Sequence, residues 1–296
     1  MSTDNIPGIR RGPLGVLQRL FLLVRVDIEK IFRYRAILAL YGALTGLAML
    51  GAYLFYLVEE AVKLTMGEGY AFAFNTILRC MDFGMVIVYV MMCILFSIEV
   101  SNQTIKCILT RPVRRTELIL SKYITALFMI AVTLAIFAVI GLGAGKIFYG
   151  LGDLTENEYV LFSRWYMYKN IAIMFLLLFI PFMTLAGMAL MFSSFSNTMG
   201  GAILTGIIGY VFFGAVGIIP SNIGFHLSGH FIPWSTFGFT SQLFVPLYKV
   251  NDLPTGIPID NWFTWDIEKM MIICGVYFAV FFIISLIVVR RRDFVL

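Results

Sequence analysis

The chain of 296 residues is 60% hydrophobic and 13% charged, with a net charge of +5, whereas a soluble domain carries roughly 25% charged residues. No water-soluble fold buries so much apolar surface, so composition excludes the soluble classes and places the chain in a membrane. The basic residues flank the apolar runs instead of forming a patch of their own, which argues against a nucleic-acid partner.

The first element in chain order is residues 14–35, too polar to span a bilayer. At about 100° per residue, Leu17, Leu20, Phe21, Val24, Ile28, Ile31 and Phe32 share one face, and Gln18, Arg19, Arg25, Glu29, Lys30 and Arg33 share the opposite one. Pro13 suits a helix start. A basic amphipathic helix of this kind is expected to lie in the membrane interface, as a plain anchor or as an elbow that also contacts a partner. No cleavable leader is expected, because the first strongly apolar run begins near residue 36 and is followed by no small-residue cleavage pattern.

Six apolar runs follow: Ala36–Val58, Phe83–Ile98, Tyr123–Gly145, Ile171–Phe192, Thr198–Ile219 and Met270–Val289. Crossing a hydrocarbon core takes about 20 residues, and the second run is short unless it starts earlier. None carries Lys, Arg, Asp, Glu or His. Such spans must be helical, since lipid offers the backbone no hydrogen-bond partner. Of the 22 Lys and Arg residues, 15 fall on the side holding both termini and residues 99–122. The positive-inside rule therefore predicts both termini in the cytoplasm of a multi-pass plasma (inner) membrane protein. Residues 59–82 and 146–170 read as modest external loops. Residues 220–269 read as a long external loop rich in aromatics and proline, including Trp234 and Phe237, suited to the headgroup boundary. Its stretch 231–247 holds no charge and is expected to fold back over the outer ends of the fifth and sixth spans. The expected fold is a single all-α membrane domain over residues 1–296: an interfacial helix, six transmembrane helices, a charged cytoplasmic hairpin at 99–122 and a long external loop before the last span.

Other chemistry is weakly supported. His226 and His230 stand four apart, but Gly229 and Pro233 weaken a helix there and no Cys is near, so no metal site is expected. Cys80, Cys93, Cys107 and Cys274 form no CxxC pair and read as small packing residues. Gly141, Gly143 and Gly145 precede Lys146 without completing a phosphate loop, and close helix approach explains them better. Pro181 is expected to kink the fourth span. With no ionisable residue at membrane depth and no ATP-binding motif, a chain of this kind needs an outside source of energy if it transports anything.

The hairpin supplies the remaining clue. Glu99, Thr104, Lys106, Leu109, Pro112, Val113, Arg115 and Lys122 follow the order Glu, Thr-x-Lys, Leu, Pro-Val-x-Arg, Lys, and Arg291, Arg292 and Asp293 close the chain after the last run. This pattern resembles the signature of the ABC-2 type ABC transporter permeases, with Gln103 where that family often has Gly. The resemblance implies a transmembrane subunit with no catalytic activity or bound cofactor of its own. It implies a second permease copy or homologue and cytoplasmic ABC ATPase subunits that bind ATP and Mg. It further implies that Glu99, Thr104, Lys106, Pro112, Arg114 and Arg115 couple the membrane domain to that motor. An uncharged path, expected between the second and fifth spans, suits a lipidic or amphipathic substrate, with Trp234 and Phe237 at its exit. Two other classes stay open at this point: a non-transporting scaffold or regulator using the same ATPase, and a membrane-embedded enzyme with its site in residues 220–269.

Overall fold

A computed structural model describes residues 15–62, 69–101, 114–152, 154–156, 159–222 and 265–292. The chain forms the helices α1 (Val16–Arg33), α2 (Arg35–Val62), α3 (Gly69–Ser101), α4 (Arg115–Phe148), α5 (Arg164–Phe195), α6 (Met199–Asn222) and α7 (Trp265–Arg291). One small antiparallel hairpin, β1 (Leu154–Glu156) with β2 (Tyr159–Phe162), interrupts an otherwise helical fold.

Helix starts follow local chemistry. The Ser163 hydroxyl accepts from the Tyr166 N–H at 3.4 Å, and the Thr198 hydroxyl accepts from the Gly201 N–H at 3.1 Å. At α4 the cap works in reverse, with the Glu117 carboxylate accepting from the Arg114 N–H at 3.1 Å. Gly150, at φ 78°, turns the chain out of α4 in a backbone region that side-chain-bearing residues avoid.

The helices α2, α3, α4, α5 and α7 contain apolar stretches long enough to cross a membrane. In α6 the apolar stretch among the described residues is shorter, Met199–Phe212. The helix α3 is central and packs on α2, α4, α5 and α6, while α7 lies along α5 and α4. Burial follows this layout: 67% of the apolar window of α3 is buried, against 22% for α2 and for α7. Small residues bring α3 and α4 together. A Cβ at Gly145 would stand 2.4 Å from the Gly69 carbonyl oxygen, and one at Gly141 would stand 2.4 Å from Cγ1 of Ile77. Gly143 faces open space. Polar side chains fasten helix to helix elsewhere, as with the Tyr41 hydroxyl to the Met129 carbonyl at 3.2 Å and the Thr184 hydroxyl to the Cys274 carbonyl at 2.9 Å. Pro181 sits inside α5.

Several sequence expectations are corrected here. Residues 59–82 are largely helix, not loop, because α2 runs on to Val62 and α3 begins at Gly69. The short second run is the C-terminal part of a helix of 33 residues. Residues 146–170 hold the end of α4, the hairpin and the start of α5. Hydropathy falls at polar residues, but intrahelical hydrogen bonds do not stop there, so helices outlast their apolar runs. The charged hairpin narrows for the same reason: α3 extends to Ser101 and α4 begins at Arg115. At the expected long loop α6 runs on to Asn222 and α7 begins at Trp265, and residues 223–264, with Trp234, Phe237, His226 and His230 among them, lie outside the described residues.

Candidate functional site

The ends of α3 and α4 that bound residues 102–113 meet α1 around a group of buried charges. Asp27, Glu99 and Lys122 are 4%, 1% and 2% exposed. The Lys122 ammonium lies 2.7 Å from Oδ1 of Asp27 and 2.9 Å from Oε1 of Glu99. The Lys30 ammonium reaches the same Glu99 oxygen at 2.5 Å and stands 4.0 Å from Asp27. The Ser121 hydroxyl donates to Oδ2 of Asp27 at 3.4 Å. Two carboxylates thus face two ammonium groups, and the cluster is neutral as a whole. Alongside it, Arg19 of α1 pairs with Glu117 of α4 at 3.1 Å.

This arrangement comes from the way α1 is turned. Its buried face is centred on Asp27, with Ile31 beside it, about a quarter turn from the centre of the apolar stripe at 100° per residue. Leu17, Phe21 and Phe32 of that stripe remain exposed. The helix therefore meets the protein at the edge of its stripe, with Asp27 and Ile31 turned inward and Leu17, Phe21 and Phe32 turned outward. Asp27 is the residue that the motif reading overlooked. Its signal is an acidic side chain one turn from Ile31 and adjacent to Ile28, next to an apolar face.

Burial holds the Asp27 carboxyl above its ordinary value of 3.8, against the attraction of Lys122 and with added repulsion from Glu99. A raised folded-state value means the folded protein keeps this proton to higher pH than the unfolded chain, so this group's contribution to stability falls as pH rises from the ordinary value through the raised one. Asp27→Asn cannot titrate and is expected to lose that part of the fall. Thermal unfolding of both proteins in detergent, from about pH 4 to about pH 7, checks this, and parallel profiles would count against it.

The residues assigned from the signature divide sharply. Glu99 is buried on α3 in the ion cluster, and Lys122 stands on α4, so neither lies on an exposed hairpin. Thr104, Lys106 and Pro112 lie outside the described residues. Arg114 is exposed just before α4. Arg115, the first residue of α4, points inward along the fold: its Nη1 donates to the carbonyls of Val289, Arg290 and Arg292 at 3.3, 2.7 and 3.0 Å. Arg292, just past α7, donates to the carbonyls of Ser194 and of Ser196 and to Oδ1 of Asn197, at the corner between α5 and α6.

The sequence profile of the ABC-2 family transporter proteins matches residues 23–212, from the middle of α1 into α6. The chain belongs to the ABC-2 transporter family. The match takes in the ion cluster and the whole of residues 99–122. A comparison with curated proteins finds no match. ABC-2 permeases are generally membrane subunits without catalytic activity of their own, and they typically work with ABC ATPase partners. Together with its apolar helices, this makes the chain a multi-pass membrane protein of the ABC permease class.

Proposed function

We propose that this chain is the permease subunit of an ATP-driven exporter, and that residues 102–114 receive the motion of a separate cytoplasmic ATPase, which binds ATP and Mg. The observation that carries this reading is the ion cluster. Glu99 and Lys122 flank residues 102–113 in sequence, and both are paired to Asp27 or Lys30 of α1. A push on 102–113 is therefore shared among α1, α3 and α4 instead of bending one helix end. Rigid-body movement of packed helices is the usual way such a push becomes a change of access.

In this reading α1 lies in the cytoplasmic interface with Leu17, Phe21 and Phe32 in lipid, α6 is the fifth of six spans, and both termini are cytoplasmic. Two copies, or a copy and a homologue, form the path between their α3 and α6 helices. That path suits a lipidic or amphipathic substrate. Within one chain α3 and α6 meet through the rings of Tyr89 and Tyr210, whose centroids are 5.3 Å apart. The external residues 223–264 would cap the exit, with Trp234 and Phe237 against the path. Thr104, Lys106, Pro112 and Arg114 would contact the ATPase, while Glu99 and Arg115 root that contact in the bundle.

Two measurements test the reading. The purified permease is expected to hold an ABC ATPase and to stimulate or be required for ATP-driven movement of a labelled lipid in vesicles. In intact cells a membrane-impermeant thiol reagent is expected to leave Cys107 unlabelled and to label a cysteine placed at Trp262. Labelling of Cys107 with the membrane intact would overturn the orientation, and failure to bind any ABC ATPase would overturn the function.

A further inference from the structure

We infer that Arg115 and Arg292 form a relay of two guanidinium caps, which carries movement at the root of α4 to the end of α7 and on to the corner between α5 and α6. The inference rests on the reading of residues 102–114 as the motor-facing segment. It makes Arg115 and Arg292 positioning residues that act within the membrane subunit.

The last carbonyls of a helix have no intrahelical donor and sit at the negative end of the helix dipole. A cation from another element placed there holds the helix end at a defined point. The end of α7 is held in this way, with one nitrogen of Arg115 within hydrogen-bond distance of the Val289, Arg290 and Arg292 carbonyls. The end of α5 is held likewise, because Arg292 donates to the carbonyls of Ser194 and Ser196 and to the Asn197 side chain. The backbone N–H of Arg292 still bonds to the Val288 carbonyl at 2.9 Å, so the second arginine is a rigid extension of α7. Arg292 uses both terminal nitrogens of its guanidinium, a planar set of donors that fixes direction as well as distance and that a lysine ammonium does not reproduce.

The body of α7 is fastened so that it moves as a rod. The Tyr123 hydroxyl of α4 lies 3.4 Å from the Ser285 hydroxyl, and the Tyr123 ring packs edge-on against Phe278 and Phe282. The Thr184 hydroxyl of α5 donates to the Cys274 carbonyl of α7 at 2.9 Å. The corner at the far end of the relay is also a junction. The Ser196 hydroxyl lies 3.2 Å from that of Thr205 in α6, and the Tyr34 hydroxyl, between α1 and α2, donates to the Met199 sulfur at 3.2 Å. A displacement of Arg115 therefore has a continuous hydrogen-bonded route to the start of α6. Such a route is a contiguous physical network, and a direct measurement of coupling between its ends tests it.

The test uses hydrogen exchange on the complete permease bound to its ATPase in lipid nanodiscs, nucleotide-free and trapped with ATP and vanadate. In the native protein, trapping is expected to change exchange at both 114–122 and the corner 193–200. In Arg292→Gln the response at 193–200 is expected to be lost, while 114–122 still responds and the ATPase binds with unchanged affinity. In Arg115→Gln the responses of both the α7 end and the corner are expected to be lost. Arg292→Lys keeps the charge and is expected to restore part of the corner response; it also carries the comparison if Arg292→Gln does not assemble. A corner response in Arg292→Gln equal to the native one overturns the relay. So does a native complex that holds the ATPase but shows no corner response, which leaves the permease reading standing. A native permease that binds no ATPase overturns both.

Discussion

Replacement of Lys122 by Met is expected to destabilise the protein by about 3–5 kcal/mol, the cost of leaving a buried charge without its partner. Lys122 is the cation nearest to Asp27, at 2.7 Å, and it also serves Glu99 at 2.9 Å. Lys30 retains Glu99 at 2.5 Å but stands 4.0 Å from Asp27, so the stranded group is the Asp27 carboxylate. The double variant Asp27→Asn with Lys122→Met removes both charges and is expected to recover most of the loss, because a neutral buried pair carries no uncompensated charge. Lys30→Met is expected to be milder, since Lys30 is partly exposed and its removal leaves Lys122 in place. Thermal unfolding in one detergent of the native protein, Asp27→Asn, Lys122→Met and their double variant measures the cycle, with Lys30→Met alongside. A Lys122→Met protein as stable as the native one, or a double variant worse than the single, would show that the cluster does not hold α1 to the bundle.

Charge reversal at Arg114 is expected to weaken binding of the ATPase at least tenfold, about 1.4 kcal/mol, since like charges brought together at an interface cost several kcal/mol. Arg114 is exposed immediately beside residues 102–113. The start of α4 is capped through its backbone N–H to Glu117, at 3.1 Å, and not through the arginine head group. A carboxylate at the N-terminal end of a helix also suits the helix dipole. Arg114→Glu should therefore leave the permease folded while repelling an acidic partner surface. Arg115→Glu, by contrast, sets a carboxylate against the carbonyls at the end of α7 and is expected to impair the permease itself. Affinity for the ATPase, measured with the permease in nanodiscs, separates the two. Unchanged affinity in Arg114→Glu would remove this residue from the motor contact.

The division between these two arginines shows the reach of the sequence. They are neighbours in a basic cluster, and both fit a docking signature. Only the fold reveals that Arg115 already has partners 174 to 177 positions away, while Arg114 points outward. Spacing along a chain carries helical periodicity, but it carries no information on which distant carbonyl lies at the end of a side chain.

The sequence by itself determined the membrane class, the helical fold, the position of most spans and the family signature, because each rests on local composition and on the rule that lipid leaves a backbone no partner outside a helix or closed barrel. Helix ends were less legible, since hydropathy reports side chains while helices continue on backbone hydrogen bonds past Glu59 and Arg79. The face that α1 turns to the protein was decided by tertiary structure alone. Its amphipathic pattern predicts an apolar side, but Asp27 faces inward because Lys122, brought up from another helix, supplies a neutralising cation there that no local pattern encodes. The same holds for Glu99, which the signature marks as part of a hairpin and the fold buries at 1% exposure among cations: a charge can leave water only where opposite charges meet it, and where they meet is a property of the packed bundle.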